Sequence, residues 1–286
     1  EITDDFSQIY MLSKAILSNK GRITRDIVIK AILEWSDIPK YFNRFAGPTT
    51  RSAIEMYKNP GMEMKPLPGA VAVDYASKAT NGAAMKIAPA GILHPGNLEA
   101  AIDDAIVIAQ VTHDNSLAIS GACAIAAATS ASLAEKATIE EAISAGVYGA
   151  IRGETKAKSV SRVVAGASVV ERIKLALQIA EGAGSKEEKL LKLSQIIGSG
   201  LHISEAVPCA FGIAALNKDS ALQAVIDAVN IGYDTDTIAT IVGTMVGAFV
   251  DFEDKNFLDL YDKVQKANEI NLIILADELA TAAKVG

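Results

Sequence analysis

Apolar residues recur at three- and four-residue spacing from one end of the 286-residue chain to the other, and runs of β-branched residues alternating with polar ones are almost absent. A half-buried strand needs the two-residue alternation and a helix needs the 3.6-residue period, so the pattern points to an all-α fold. It predicts helices over about 4–19, 24–35, 48–58, 81–91, 97–111, 114–134, 137–152, 162–182, 185–199, 204–217, 219–230, 235–249, 255–266 and 270–284. Helix starts are marked by Thr24 with Asp26 behind it, Pro48, Asp114-Asn115, and Thr138 followed by Glu140-Glu141. No repeat at a fixed period and no linker divides the chain, so one domain over 1–286 is expected, an orthogonal multi-helix bundle. The stretch 59–80 breaks the pattern with Pro60, Gly61, Pro66, Pro68 and Gly69, and so long a loop is expected to act as a lid beside a site.

Composition narrows the function classes. Half of the residues are hydrophobic, enough for a large core. A net charge of -7, with no basic run interleaved with aromatics, argues against direct nucleic-acid binding. Cys123 and Cys209 each lie in apolar helical context, which reads as reduced core cysteine and a cytoplasmic setting. The most apolar run, Leu117 to Leu133, is rich in Ala and broken by Ser and Thr, so it suits close helix packing and no membrane span is expected.

Chemistry concentrates at two helix starts. In Gly232-Tyr233-Asp234-Thr235-Asp236-Thr237-Ile238-Ala239-Thr240, two carboxylates stand just before an apolar run that reads as a buried helix. Burying a charge is costly unless it is paired or bound to a metal, although a helix N-terminus and threonine caps would also accommodate the acids. Thr3-Asp4-Asp5 crowds acids and a hydroxyl onto a second helix start. Carboxylate and hydroxyl oxygens are ligands for hard cations such as Mg²⁺, Mn²⁺ or Ca²⁺. If the two segments meet, their acids repel one another unless a divalent cation lies between them.

Other stretches are open to two readings. Thr80-Asn81-Gly82-Ala83-Ala84-Met85-Lys86 offers small residues and helix-start N–H groups to a phosphate or a ribose hydroxyl, while an ordinary Asn-Gly turn explains it as well. Lys86 complements a phosphate or is simply solvated. His113, in Thr112-His113-Asp114-Asn115, donates to a substrate or serves the helix junction. His94 and His202 are read as structural. In Ser204-Glu205-Ala206-Val207-Pro208, capping with proline in the first turn accounts for the residues. Trp35, Tyr41, Phe42 and Phe45 are expected to pack the junction of the early helices.

In this order, Thr3-Asp4-Asp5, Asn81-Gly82-Ala83-Ala84-Met85, Thr112-His113, Ser204-Glu205-Ala206-Val207-Pro208 and Gly232-Tyr233-Asp234-Thr235-Asp236-Thr237 resemble the ADP-ribosylglycohydrolase family. That family includes dinitrogenase-reductase-activating glycohydrolases, ADP-ribosyl-acceptor hydrolases and J1 crystallins, and the likeness extends over nearly the whole chain. It implies an all-α bundle with a binuclear cleft holding two Mg²⁺ (or Mn²⁺) ions, with Thr3, Asp4, Asp5, Asp234, Asp236 and Thr237 as metal ligands. It further implies hydrolysis of the ribosyl glycosidic bond of an ADP-ribosylated protein or a small ribosylated substrate, with release of ADP-ribose. Asn81, Gly82 and His113 would line the ribose and phosphate pocket. Asp4, Asp5 and Asp236 are the groups expected to carry catalysis, and Thr235 and Thr240 to orient the carboxylates. The family usually carries a second threonine where this chain has Phe6. Ahead of that motif the family also has a segment with a Gly-Asp motif and a glutamate often assigned a catalytic role; no counterpart is identified in 1–286, and that segment is expected to be absent. Gly47-Pro48-Thr49 resembles bacterial-type members, which admits hydrolysis of a smaller, nucleoside-like ribosyl N-glycoside. The crystallins admit a non-catalytic binding protein.

Overall fold

A computed structural model describes residues 1–64, 66 and 70–283, and among them no β-strand forms. The helices are α1 (Asp4–Ser18), α2 (Arg25–Ser36), α3 (Pro39–Phe45), α4 (Pro48–Lys58), α5 (Ala88–Ile92), α6 (Leu98–Thr112), α7 (Ser116–Ser132) and α8 (Ile139–Val160). They continue with α9 (Val169–Glu181), α10 (Lys186–Lys192), α11 (Ile203–Leu216), α12 (Ala221–Asn230), α13 (Thr235–Val246), α14 (Lys255–Asn268) and α15 (Leu272–Ala283). The all-α expectation is met, and no described helix is long and apolar enough to cross a membrane.

Helix α7 is the hub. Every one of its residues except Ala131 is buried, and α5, α6, α8, α11 and α13 pack around it. Such a helix has no polar face to spare, so its small side chains serve to let neighbours approach on all sides. Against α8 the approach reaches backbone contact: a Cβ added to Gly149 would lie 2.4 Å from the Cys123 carbonyl oxygen and 2.6 Å from the Ala127 Cβ. The aromatic cluster sits where expected. Trp35 meets Phe42 edge to face at 5.9 Å, and its indole N–H donates to the Ser7 hydroxyl at 2.8 Å. Cys123 and Cys209 are free and buried.

Local chemistry sets the boundaries. Thr138 and Glu141 form a capping box on α8, as do Ser185 and Glu188 on α10. Several segments depart from the expectations, and α8, expected to end near 152, runs on to Val160. The expected helix 81–91 is a single 3₁₀ turn at Asn81–Ala83 followed by the short α5, because Pro89 lacks an N–H and Gly91 lies against Ala126. The expected 162–182 begins only at Val169, after Gly166 with φ +156 and the Ser168 cap. Helix α3, which opens on Pro39, was not anticipated, being only seven residues long. In α11 it is His202, through Nδ1, that accepts from the Ser204 N–H, and Pro208 stands inside the helix rather than in its first turn. Of the expected lid, Lys65, Leu67, Pro68 and Gly69 lie outside the described residues.

Candidate functional site

The two acidic helix starts converge. Asp4 and Asp5 open α1 and Asp234 caps α13, so both helix dipoles present their positive ends to the same cluster of carboxylates. The chain reaches α13 through Gly232 (φ +93) and Tyr233 (φ +62), two consecutive residues in the left-handed region, the first affordable only because it is glycine. The Asp234 N–H donates to the Ser199 carbonyl at 3.1 Å and fixes the turn.

Asp5 is fully buried, and the Thr3 hydroxyl donates to its Oδ2 at 2.7 Å. Burial, then the Asp4 charge, raises its pKa from 3.8 to about 7, with Asp236 adding to the push and hydrogen bonds from Thr3 and Thr237 opposing it. Asp4 is raised from 3.8 to about 6, mainly by burial and further by Asp236 and Asp234, against its own backbone N–H. Asp234 is raised by burial, opposed by the Asn81 side-chain N–H that donates to its Oδ2 at 2.5 Å. Thus Asp4, Asp5, Asp234, Asp236 and Thr237 interact directly, although the segments are more than two hundred residues apart in the chain.

One oxygen of the cluster is suited to a divalent cation. The Asp5 Oδ1 is buried with no hydrogen-bond partner, which a cation's positive charge would relieve. All donors in the cluster are hard oxygens, suited to Mg²⁺ or Mn²⁺. Among the described residues no three His, Cys, Asp or Glu side chains are drawn tightly enough to form a ready-made cage. Burial first, and the neighbouring carboxylates after it, raise the pKa values of Asp4 and Asp5, a cost that a cation's charge would lower. The donor set therefore fits a divalent ion that draws it together.

Asn81 joins the acids, whereas His113 does not reach them by any described hydrogen bond. His113 is 1% exposed, with Nδ1 at 2.7 Å from the Thr112 hydroxyl and Nε2 at 2.7 Å from the Thr80 hydroxyl. Burial, then the nearby Lys86 and Lys78 charges, holds its pKa well below 6.5 and keeps it neutral at pH 7. Gly82 is the residue that permits this packing, since a Cβ there would lie 3.1 Å from the His113 ring. Thr240 lines an apolar groove of about 400 Å³ with Phe6 and Ile9, and among the described residues neither Thr235 nor Thr240 bonds a carboxylate; Asn81 and Thr3 do.

Lys86 corrects the expectation of a solvated lysine. It is 0% exposed, donates to the Gly82 carbonyl at 2.6 Å and to the Thr112 hydroxyl at 2.9 Å, and burial lowers its pKa to about 7 against the pull of Asp4. The signal for it was a single charge in the otherwise uncharged run Gly82 to Ile92. Beside His113 a cavity of about 550 Å³ opens, walled by Tyr57, Tyr75, Arg25, Lys78 and Arg162 among others, with the Arg162 guanidinium 3.7 Å above the Tyr75 ring. Met62, Glu63 and Met64, from the stretch expected to form a lid, also line it.

The chain is similar to several known proteins in sequence and in fold. An uncharacterized Escherichia coli (strain K12) protein, YegU, is 32% identical over 250 residues, covering 87% of this chain and 71% of that protein. An uncharacterized protein of Archaeoglobus fulgidus is 30% identical over 172 residues, covering 59% of this chain and 49% of that one. A solved structure described as an ADP-ribosylglycohydrolase-related protein complex superposes with a TM-score of 0.63 over 99% of this chain and 82% of its own, at 21% identity, a likeness of fold. The family description ADP-ribosylglycohydrolase matches residues 1–285. The chain therefore belongs to the ADP-ribosylglycohydrolase family.

Proposed function

We propose that the protein is a metal-dependent hydrolase that cleaves the ribosyl glycosidic bond of an ADP-ribosylated acceptor and releases ADP-ribose. The observation that carries this reading is the buried acid cluster shared by two helix N-termini, with an Asp5 oxygen that has no protein partner. Asp4, Asp5, Asp234 and Asp236, with the hydroxyls of Thr3 and Thr237, would hold Mg²⁺ or Mn²⁺, two ions in the family pattern. When bound, such ions supply Lewis-acid polarisation of the sugar oxygens and acidify a water.

The chain's own residues do the rest. Asp4, Asp5 and Asp236 would position the ribose and the attacking water, and the raised proton affinities of Asp4 and Asp5 suit groups that take up a proton near neutral pH. Asn81 holds the Asp234 carboxylate in one orientation. In the cavity beside His113, Arg25, Lys78 and Arg162 outnumber Glu63 and Asp114, and Tyr57 and Tyr75 offer ring faces. That combination of cations and aromatics suits a substrate with phosphates and a base, which favours an ADP-ribosyl group over a bare nucleoside.

The test is product analysis. The protein with Mg²⁺ or Mn²⁺ is incubated with an ADP-ribosylated arginine peptide, and chromatography with mass detection identifies what is released. ADP-ribose is expected, with turnover lost in Asp5→Asn and Asp236→Asn. Free ribose released from a nucleoside, with the peptide untouched, would replace this reading with the smaller substrate. Calorimetric binding of ADP-ribose without any product would make the protein a binder.

A further inference from the structure

Every buried side-chain polar atom that lacks a hydrogen-bond partner among the described residues lies on helix α1. They are the Asp5 Oδ1, both amide atoms of Gln8, and the Ser13 Oγ. Ser13 is more than two turns past Asp5, but Gln8 is in the turn that follows the acids. Gln8 is 0% exposed, and a primary amide is built to donate twice and to accept. Burying it with neither its Nε2 nor its Oε1 engaged is costly, on a face where Leu12, Ala15 and Ile16 are apolar and buried.

The helix aims this amide at the acids. Gln8 stands four residues past Asp4 and three past Asp5, the two spacings that put side chains on one face. Long side chains on a helix lean toward its N-terminus and lie over the preceding turn, which here carries Asp4 and Asp5. Glutamine and aspartate at such spacing can bond each other directly, yet Gln8 bonds neither acid. Its neighbours are already engaged: the Thr3 hydroxyl donates to the Asp5 Oδ2, and the Ser7 hydroxyl accepts from the Trp35 indole N–H. One helical turn therefore holds a carboxylate oxygen that needs positive charge or a donor, and an amide that needs both a donor and an acceptor. A hydrated divalent cation suits the two together, since its charge answers the carboxylate and its water donates to the amide oxygen.

We infer that Gln8 is a positioning residue of the cation site, its amide bracing the Asp5 side of the acid cluster when a divalent ion and its water are held there. This role rests on the proposed metal-dependent function. Gln8 then adds nothing to the metal-free fold and acts only in the loaded protein, the reverse of a residue packed for structure.

Two measurements on the full chain decide it. Gln8→Met keeps the length of the side chain and removes the amide. Calorimetric titration with Mg²⁺ or Mn²⁺ alone is expected to show binding about tenfold or more weaker than wild type, the usual effect of losing an outer partner of a metal site. In chelator the same variant is expected to melt about 2–4 °C higher, because two unpaired buried atoms are gone. Leu12→Met, one turn further along the same buried face, controls for packing and is expected to keep wild-type metal affinity. Undiminished metal affinity in Gln8→Met overturns the inference, as does an equal loss in Leu12→Met. A Gln8→Met protein that melts lower in chelator, or does not fold, also overturns it, because the amide then serves the metal-free fold. A wild type that binds neither ion removes the metal-dependent function and the role of Gln8 together, whereas wild-type binding with undiminished binding by Gln8→Met removes the role of Gln8 alone.

Discussion

Removing one charge from the acid cluster gives a sharp test, because the cluster makes the same substitution stabilising without metal and damaging with it. Asp5 is fully buried, and its pKa rises from 3.8 to about 7, about 3 units or roughly 4 kcal/mol of penalty on the ionised folded state. Between pH 3.8 and about 7 the folded protein holds a proton that the unfolded chain has released, so stability falls as pH rises through this window and is lowest above it. Asn cannot ionise. In chelator at pH 8, Asp5→Asn should therefore be more stable than wild type, by about 1–3 kcal/mol once roughly 1–3 kcal/mol is set aside for re-pairing the amide beside Thr3 and Thr237. At pH 4 that advantage should vanish. With Mg²⁺ or Mn²⁺ at about a thousand times its dissociation constant, wild type should gain about 4.1 kcal/mol and Asp5→Asn should gain little, which reverses the order. Urea unfolding followed by circular dichroism, with and without chelator at pH 4 and pH 8, measures all of this. A metal-free variant less stable than wild type at pH 8, or equal metal stabilisation of both proteins, would refute the reasoning.

The packing between α7 and α8 supports a second prediction. Gly149→Ala gains about 1 kcal/mol of helix propensity, but its Cβ would sit 2.4 Å from a backbone carbonyl that no rotamer change can clear. Forcing the helices apart costs about 1–3 kcal/mol or more, so net destabilisation is expected in urea unfolding. Gly243→Ala on α13 meets only the Val225 Cγ2 at 3.9 Å and is expected to be neutral or stabilising, and equal losses in the two variants would discredit the clash argument. Thr138→Ala removes the capping box of α8 and should cost about 1 kcal/mol, a fall of roughly 2–4 °C in Tm by calorimetry.

What the sequence disclosed and what it hid have physical causes. The all-α architecture was legible because each helix must bury one face, and that requirement prints a period on the sequence wherever the opposite face is wet. Helix α7 carries almost no such period, being buried all round, and its position as the hub follows only from the glycines of α8 that close on it. The late start of α9 was signalled by Gly166 and Ser168, but the preceding Val163-Val164 keeps the apolar pattern running and masks them.

The acids were legible for a different reason. A carboxylate ahead of a buried helix is anomalous on its own, so Asp4, Asp5, Asp234 and Asp236 announce a need for partners before any fold is known. Threonine is not anomalous anywhere, and a lysine is anomalous only when buried. Nothing local to Thr80 or Thr112 distinguishes their hydroxyls from those of ordinary turn and helix-end residues. Their pairing comes from a contact across 33 residues between Thr80 and His113, and from a lysine that meets Thr112 from 26 residues away. Charge reveals the acid cluster from the sequence because its cost is local, whereas hydroxyls and an imidazole joined by hydrogen bonds have no cost until the fold takes away their water. His113 shows the same asymmetry: the resemblance implied a place for it against the ribose and phosphate, and the fold sets its two ring nitrogens against the hydroxyls of Thr112 and Thr80.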